Sequence, residues 1–112
     1  MQVQRRIESR IALTQVKVTL NTQDGRILDC DLLDVSPSGA RVQLPPGAPR
    51  RKGGEKVTLQ ASNLPLGVLY NHKQALVVWT DGEQLGMRLV TPLALPEEEL
   101  RKRLAMHLRN EE

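Results

Sequence analysis

The sequence predicts a mainly β chain: a small antiparallel β-barrel of about six strands, with a C-terminal α-helix and a flexible N-terminal arm. Three observations carry this reading. Apolar residues alternate with polar ones in several short runs, the period of half-buried strands. Asp-Gly pairs and Pro/Gly clusters separate those runs at hairpin spacing. After Pro96 the apolar period changes to that of a helix. Closing short strands into a barrel removes the exposed edges that an open sheet would leave.

Residues 1–15 carry Arg5, Arg6 and Arg10 and form the arm, and the barrel occupies residues 16–92. Val16, Val18 and Leu20 alternate with Lys17 and Thr19, and Gln23-Asp24-Gly25 supplies a hairpin turn. Ile27 to Leu33 is the return strand, with Cys30 and Leu32 on one face and Asp29 and Asp31 on the other. Cys30 therefore reads as a small buried hydrophobe rather than a nucleophile. Ser36-Pro37-Ser38-Gly39 is a tight turn, and Ala40 to Leu44 is the third strand. Residues 45–54 are punctuated by Pro and Gly throughout, which predicts a mobile loop with a solvated basic tip, Arg50-Arg51-Lys52.

Lys56 to Gln60 resumes the strand pattern. Asn63-Leu64-Pro65-Leu66-Gly67 breaks it, and Val68 to Asn71 is ambiguous. Ala75 to Thr80 and Leu85 to Val90 make a second hairpin around Asp81-Gly82. Pro92 and Pro96 end the sheet. Within the C-terminal segment 96–112, Glu97 to Arg109 is helical, with Leu100, Leu104 and Leu108 on one stripe and Ala105 beside them. That stripe packs against the barrel or across a dimer. Glu97, Glu98 and Glu99 suit a helix start, and the later basic residues read as a solvated face.

Composition narrows the functional classes. The 112 residues hold 16 Lys and Arg against 13 Asp and Glu, a net charge of +3. That excess is too small to identify a nucleic acid polymer as partner. Aromatic residues make up 2% of the chain, which argues against surfaces that stack many bases. The one cysteine allows no intrachain disulfide and no Cys-based zinc cluster. No run reaches the length of a membrane span, so no membrane insertion is expected. The N-terminus leads into no apolar h-region, which makes a cytoplasmic location the expectation. Catalysis has little support: His72 and His107 have no spaced partner, and Asp29 and Asp31 sit on an outer strand face. No catalytic residue and no metal site is assigned.

Two features remain. Arg6 and Arg10, four apart and preceded by Arg5, could clamp one anion from two directions. A guanidinium is planar and always charged, and gives paired hydrogen bonds to phosphate or to the guanine edge. Taken alone, the stretch reads rather as a frayed basic arm solvated in water. The second feature is Asp34-Val35-Ser36-Pro37-Ser38-Gly39. Asp34 can accept from guanine N1–H and N2–H, Ser36 can donate to a phosphate, and Gly39 permits a turn or close approach of a ligand. Taken alone, this stretch too reads rather as a local turn in which these side chains bond to nearby backbone.

The two features in this order, Arg-x-x-x-Arg before the first strand and Asp-x-Ser-x-x-Gly at the second turn, resemble the PilZ domain. Ala40-Arg41-Val42, Val77-Val78-Trp79 and Gly86-Met87-Arg88-Leu89 also look like that family. The resemblance implies a non-enzymatic receptor for cyclic di-GMP, with no other cofactor. Arg6 and Arg10 match the family's arginine pair, and Asp34, Ser36 and Gly39 its second motif. Arg5 offers a third guanidinium, as in members that hold an intercalated ligand dimer, and dimeric ligand is slightly favoured over monomeric. Trp79 could meet guanine or pack in the core. Arg41 and Arg88 read as solvated strand residues rather than rim charges.

The resemblance also implies that the arm folds over the ligand, and that the chain signals through an unidentified effector protein. Ordering the arm costs about 1–2 kcal/mol per residue, which the charged contacts must outweigh. Control of motility, exopolysaccharide or biofilm formation is the implied setting. The alternative is a PilZ-like protein-interaction module with weak or no nucleotide binding.

Overall fold

A computed structural model of the chain describes residues 10–14, 16–61 and 66–108. Arg5, Arg6 and Arg109 lie outside the described residues. The first element, β1, is Ile11–Ala12, followed by β2 (Lys17–Thr22), β3 (Ile27–Ser36), β4 (Gly39–Gln43) and β5 (Lys56–Gln60). A short helix α1 (Leu66–Tyr70) precedes β6 (Lys73–Asp81) and β7 (Gln84–Leu89). Helix α2 (Glu97–Arg103) and a 3-10 turn at Ala105–His107 complete the chain.

Six strands close into an antiparallel barrel in the order β3-β2-β5-β6-β7-β4, with β4 returning to β3. The alternation that predicted the strands is what fills the barrel. Val18 and Leu20, Leu28, Cys30 and Leu32, Ala40 and Val42, Val57 and Leu59, and Leu85, Met87 and Leu89 are all buried. Tyr70 on α1 is buried too, so the chain's one tyrosine serves the core. Cys30 is a packing residue, and burial pushes its thiol up to about 12. That value keeps it protonated and unreactive.

β3 is longer than its predicted span and serves both sides of the barrel. Its first half pairs with β2, from Asn21 opposite Ile27 to Lys17 opposite Asp31. Where β2 leaves that edge, β1 takes over, with Ile11 opposite Val35 and Ala12 opposite Asp34. Regular structure thus begins inside the segment assigned to the arm, and Ile11 and Leu13 join the core.

Two β-bulges break the alternation, one in β3 between Leu32 and Asp34 and one in β6 between Val77 and Trp79. A bulge adds one residue to a strand and so exchanges the faces beyond it. Strict alternation would send Asp34 inward with Cys30 and Leu32, and Trp79 inward with Ala75 and Val77. Instead Val35 is buried, Asp34 stands opposite Arg41, and Trp79 stands opposite Gly86.

Three local expectations change. The predicted helix over Glu97–Arg109 ends at Arg103, because Leu108 turns extended and bridges Leu13 while His107 accepts a hydrogen bond from the Thr14 amide at 2.9 Å. Leu100 and Leu104 pack against the barrel, while Arg101 and Arg103 pair outside with Glu97 and Glu99. The ambiguous stretch at Val68–Asn71 falls largely in α1.

The third change concerns the basic loop. It is not solvated throughout: the Arg51 side chain is 5% exposed and bridges Glu55 at 3.0 Å and Asp24 at 3.3 Å. Gly54 and Glu55 bond to the backbone of Val77, so this guanidinium ties the loop to the β2–β3 turn and to β6.

The Thr22 hydroxyl and then Arg51 hold Asp24 at about 2, below its ordinary 3.8. A depressed carboxylate stabilises the fold fully above its unfolded pKa and loses that contribution as pH falls through the folded one. Asp24→Asn should therefore flatten stability between about pH 4 and pH 2 in acid titrations followed by circular dichroism.

Arg51→Met, which leaves Glu55 half-enclosed without its partner, should cost about 1–3 kcal/mol in urea melts at neutral pH. The two glycines of β4 and β7 should behave differently from each other. A Cβ on Gly39 would lie 2.6 Å from the Met87 carbonyl oxygen, so Gly39→Ala should lower stability by roughly 1–3 kcal/mol. A Cβ on Gly86 would lie 2.1 Å from Trp79 Nε1, a side chain that can swing away. Gly86→Ala should thus shift tryptophan emission to the red with a smaller loss of stability.

Candidate ligand-binding site

The barrel's pairing register places the residues of interest on one patch of its outer face. In one row across the strands, Asp34 faces Arg41, Arg41 faces Gly86, and Gly86 faces Trp79. In the next, Ser36 faces Gly39, Gly39 faces Arg88, and Arg88 faces Leu76. On the far side of β3, β1 sets Ala12 beside Asp34. Extending that antiparallel register by one residue brings Arg10 alongside Ser36.

Electrostatics joins the two sequence motifs. Arg10 Nη1 lies 3.1 Å from Asp34 Oδ1, across 24 residues of sequence. Arg41 reaches the other oxygen twice, with Nη2 at 2.7 Å and Nε at 2.8 Å from Asp34 Oδ2. Arg41 Nη1 in turn donates to Gln84 Oε1 at 3.1 Å, and Gln84 Nε2 donates to Gln43 Oε1 at 3.4 Å. The Asp34 side chain is only 8% exposed, so its charge is tolerated because two guanidiniums cover it. Arg41 is thus not the solvated strand residue that the sequence suggested. It is the carboxylate's closer partner.

The remaining candidates fall into place unevenly. Ser36 ends β3 and is buried. Gly39 sits opposite it, and the room left by its missing side chain is taken up by the Met87 carbonyl of β7. The close approach that Gly39 permits is therefore one between strands. Trp79 is 38% exposed, and its indole lies across Gly86, in line with Arg41 on the next strand. The β6 bulge takes it out of the core, which removes the core-packing reading. Arg88 is exposed and makes no ion pair among the described residues. Arg5 and Arg6 lie outside the described residues.

Gln84 is a candidate that the sequence did not yield, and Arg41 and Gly86 were visible there without a role at the site. Arg41 was visible as an outward residue between Ala40 and Val42. Its pairing was not, because alternation along β3 assigns Asp34 to the opposite face.

The patch lies on the outer face of the barrel wall, across β3, β4, β7 and β6. A cleft of about 470 Å³ lies elsewhere, lined by Gln23, Asp24, Arg50, Arg51, Lys52, Gly53 and Glu55. Its buried arginine is already engaged by Asp24 and Glu55. Among the described residues, no three His, Cys, Asp or Glu side chains are grouped to hold a metal ion. No helix among them is long and apolar enough to cross a membrane.

The geometry is an outward carboxylate, a serine two residues on, an arginine ahead of the first strand and a nearby indole. The family model for the PilZ domain matches residues 4–107. Among solved structures, the PilZ domain with c-di-GMP of YcgR from Escherichia coli is similar, with a TM-score of 0.62 at 19% identity. The match covers 92% of this chain and 91% of that one, and at this identity it speaks for the fold. No curated protein matches the chain. The family match takes in both motifs and the whole barrel through the 3-10 turn, and on that ground the chain belongs to the PilZ domain family.

Proposed function

We propose that this chain is a cyclic di-GMP receptor, a binding module that changes conformation with its ligand and passes the change to an effector protein. The observation that carries the proposal is the ion pair between Arg10 and Asp34, which joins the arginine motif to the Asp-x-Ser-x-x-Gly motif. The similar PilZ domain of YcgR was solved with c-di-GMP, and this supports the choice of ligand.

The chemistry follows from the donor and acceptor sets. The ligand's two phosphates take guanidinium donors from Arg6 and Arg10, with Arg5 as a third for an intercalated dimer. Asp34 accepts from the guanine N1–H and N2–H edge, and Ser36 donates its hydroxyl. Trp79, already outside the barrel, offers an indole face or edge to a purine. Gly39 serves the site indirectly, by letting β4 and β7 close under it. Arg10 gives up its contact with Asp34 when it turns to a phosphate. That exchange is the proposed origin of the conformational change, because Arg10 leads directly into β1. Partner proteins in motility, exopolysaccharide or biofilm control are the proposed recipients, in the cytoplasm.

One observation favours a second reading. Both oxygens of Asp34 are engaged internally, by Arg10 and by Arg41, as a protein-interaction module with weak or no nucleotide binding would have them. Calorimetry separates the two readings. The receptor reading expects saturable cyclic di-GMP binding, with one or two ligands per chain, and poor competition by GMP or cyclic di-AMP.

Arg6→Ala, Arg10→Ala and Asp34→Ala should each weaken binding by about 10- to 100-fold, the range of a charge-assisted hydrogen bond worth roughly 1.5–3 kcal/mol. An isotherm without heat at high ligand concentration would select the interaction module. Since Trp79 is the only tryptophan, its emission should change on titration with cyclic di-GMP and report the same affinity. Emission that stays constant through saturation removes Trp79 from the site.

A further inference from the structure

We infer that Arg41 is a positioning residue of this site: it keeps the Asp34 carboxylate oriented and half-occupied, so that Arg10 alone is exchanged for guanine. The inference rests on the cyclic di-GMP reading above and assigns a residue that neither motif contains.

The two arginines hold Asp34 in different ways. Arg41 gives two nitrogens to Oδ2, at 2.7 and 2.8 Å. Arg10 gives one nitrogen to Oδ1, at 3.1 Å. Two short charge-assisted bonds hold harder than one longer bond. Arg41 is also braced, since it stands in the middle of β4 and its Nη1 donates to Gln84 Oε1 on β7. Arg10 stands one residue before β1, whose ladder pairs begin at Ile11. Of the two, Arg10 is the one built to leave.

Its departure has a cost that Arg41 limits. Leaving a carboxylate that is only 8% exposed without a partner is costly. With Arg41 on Oδ2, Asp34 remains a paired anion while Oδ1 becomes free. That single oxygen points from a carboxylate plane that Arg41 holds still, and it accepts from the guanine edge. Without Arg41, Asp34 turns wholly to Arg10, and Arg10 must then abandon a bare buried charge to reach a phosphate. Guanine reading and phosphate clamping would compete for one residue.

Loss of Arg41 should therefore blunt base discrimination as well as affinity. The test compares cyclic di-GMP with its hypoxanthine analogue, which lacks the N2 amine, by calorimetry on the full chain. Arg41→Ala should weaken cyclic di-GMP by about tenfold or more and reduce its preference over the analogue severalfold. Arg41→Lys, which keeps the charge but offers a single nitrogen, should recover part of the affinity and less of the discrimination.

Equal weakening toward both ligands overturns the inference, because a merely structural role lowers them together. So does unchanged affinity in Arg41→Ala. Should Arg41→Ala fail to fold, Arg41→Lys decides alone: an unaltered preference overturns the inference, and a reduced one supports it. If the unmodified chain binds no cyclic di-GMP, the receptor reading itself fails, an outcome separate from all of these.

Discussion

The site depends on two extra residues in the barrel wall. A strand shows alternate side chains to alternate faces, and nothing in a regular β3 or β6 would set Asp34 or Trp79 on the outside. The bulges after Leu32 and after Val77 exchange the faces beyond them. Up to each bulge the strands are ordinary core strands, with Cys30 and Leu32 or Ala75 and Val77 turned inward. Beyond it, a residue whose place would be in the core becomes a residue of the surface. Both bulges sit in the same row of the register, so Asp34 and Trp79 emerge at the two ends of one line, with Arg41 and Gly86 between them.

That geometry determines the electrostatics. A carboxylate at this position is roofed over and needs compensation, and it draws cations from two directions. One comes from the neighbouring strand, where Arg41 is held by the ladder. The other comes from ahead of β1, which lies along β3 only because β2 ends short of Val35. The length of β3 therefore matters as much as its bulge. A shorter strand would offer no edge for β1, and Arg10 would have no route to Asp34. The charge that looked slight as a net +3 is consequential because of where two guanidiniums and one carboxylate are brought together.

Much of this was legible in the sequence, and the limits have identifiable causes. Strict alternation found the strands from Val18 to Leu89, since burial of one face is what alternation encodes. Glycine and aspartate found the hairpins at Asp24-Gly25 and Asp81-Gly82, where both glycines adopt positive φ. Bulges leave no such mark, so the face of Asp34, the exposure of Trp79 and the partner of Arg41 were hidden. The end of the C-terminal helix was hidden for another reason. Leu108 keeps the helical spacing of Leu100 and Leu104, yet its backbone goes to Leu13, a contact distant in sequence. Arg51 failed because composition described its loop as basic, whereas Asp24 and Glu55 enclose that one side chain.

A cluster whose charges already pair with one another bears on the proposed signalling. An open cluster of cations would attract any polyanion and would bind by net charge, with steep dependence on salt. Here each internal ion pair must be matched by a contact that the incoming ligand offers in the same place. A phosphate can replace Asp34 as the partner of Arg10, but only a donor edge can then replace Arg10 as the partner of Asp34. The exchange closes for a ligand that carries anion and donor edge at the right separation, and stays open for a simple anion. In the proposed receptor, selectivity would come from the ion pairs that Asp34 already makes. The same exchange would free the residue that leads into β1, and recognition and rearrangement would then be one event.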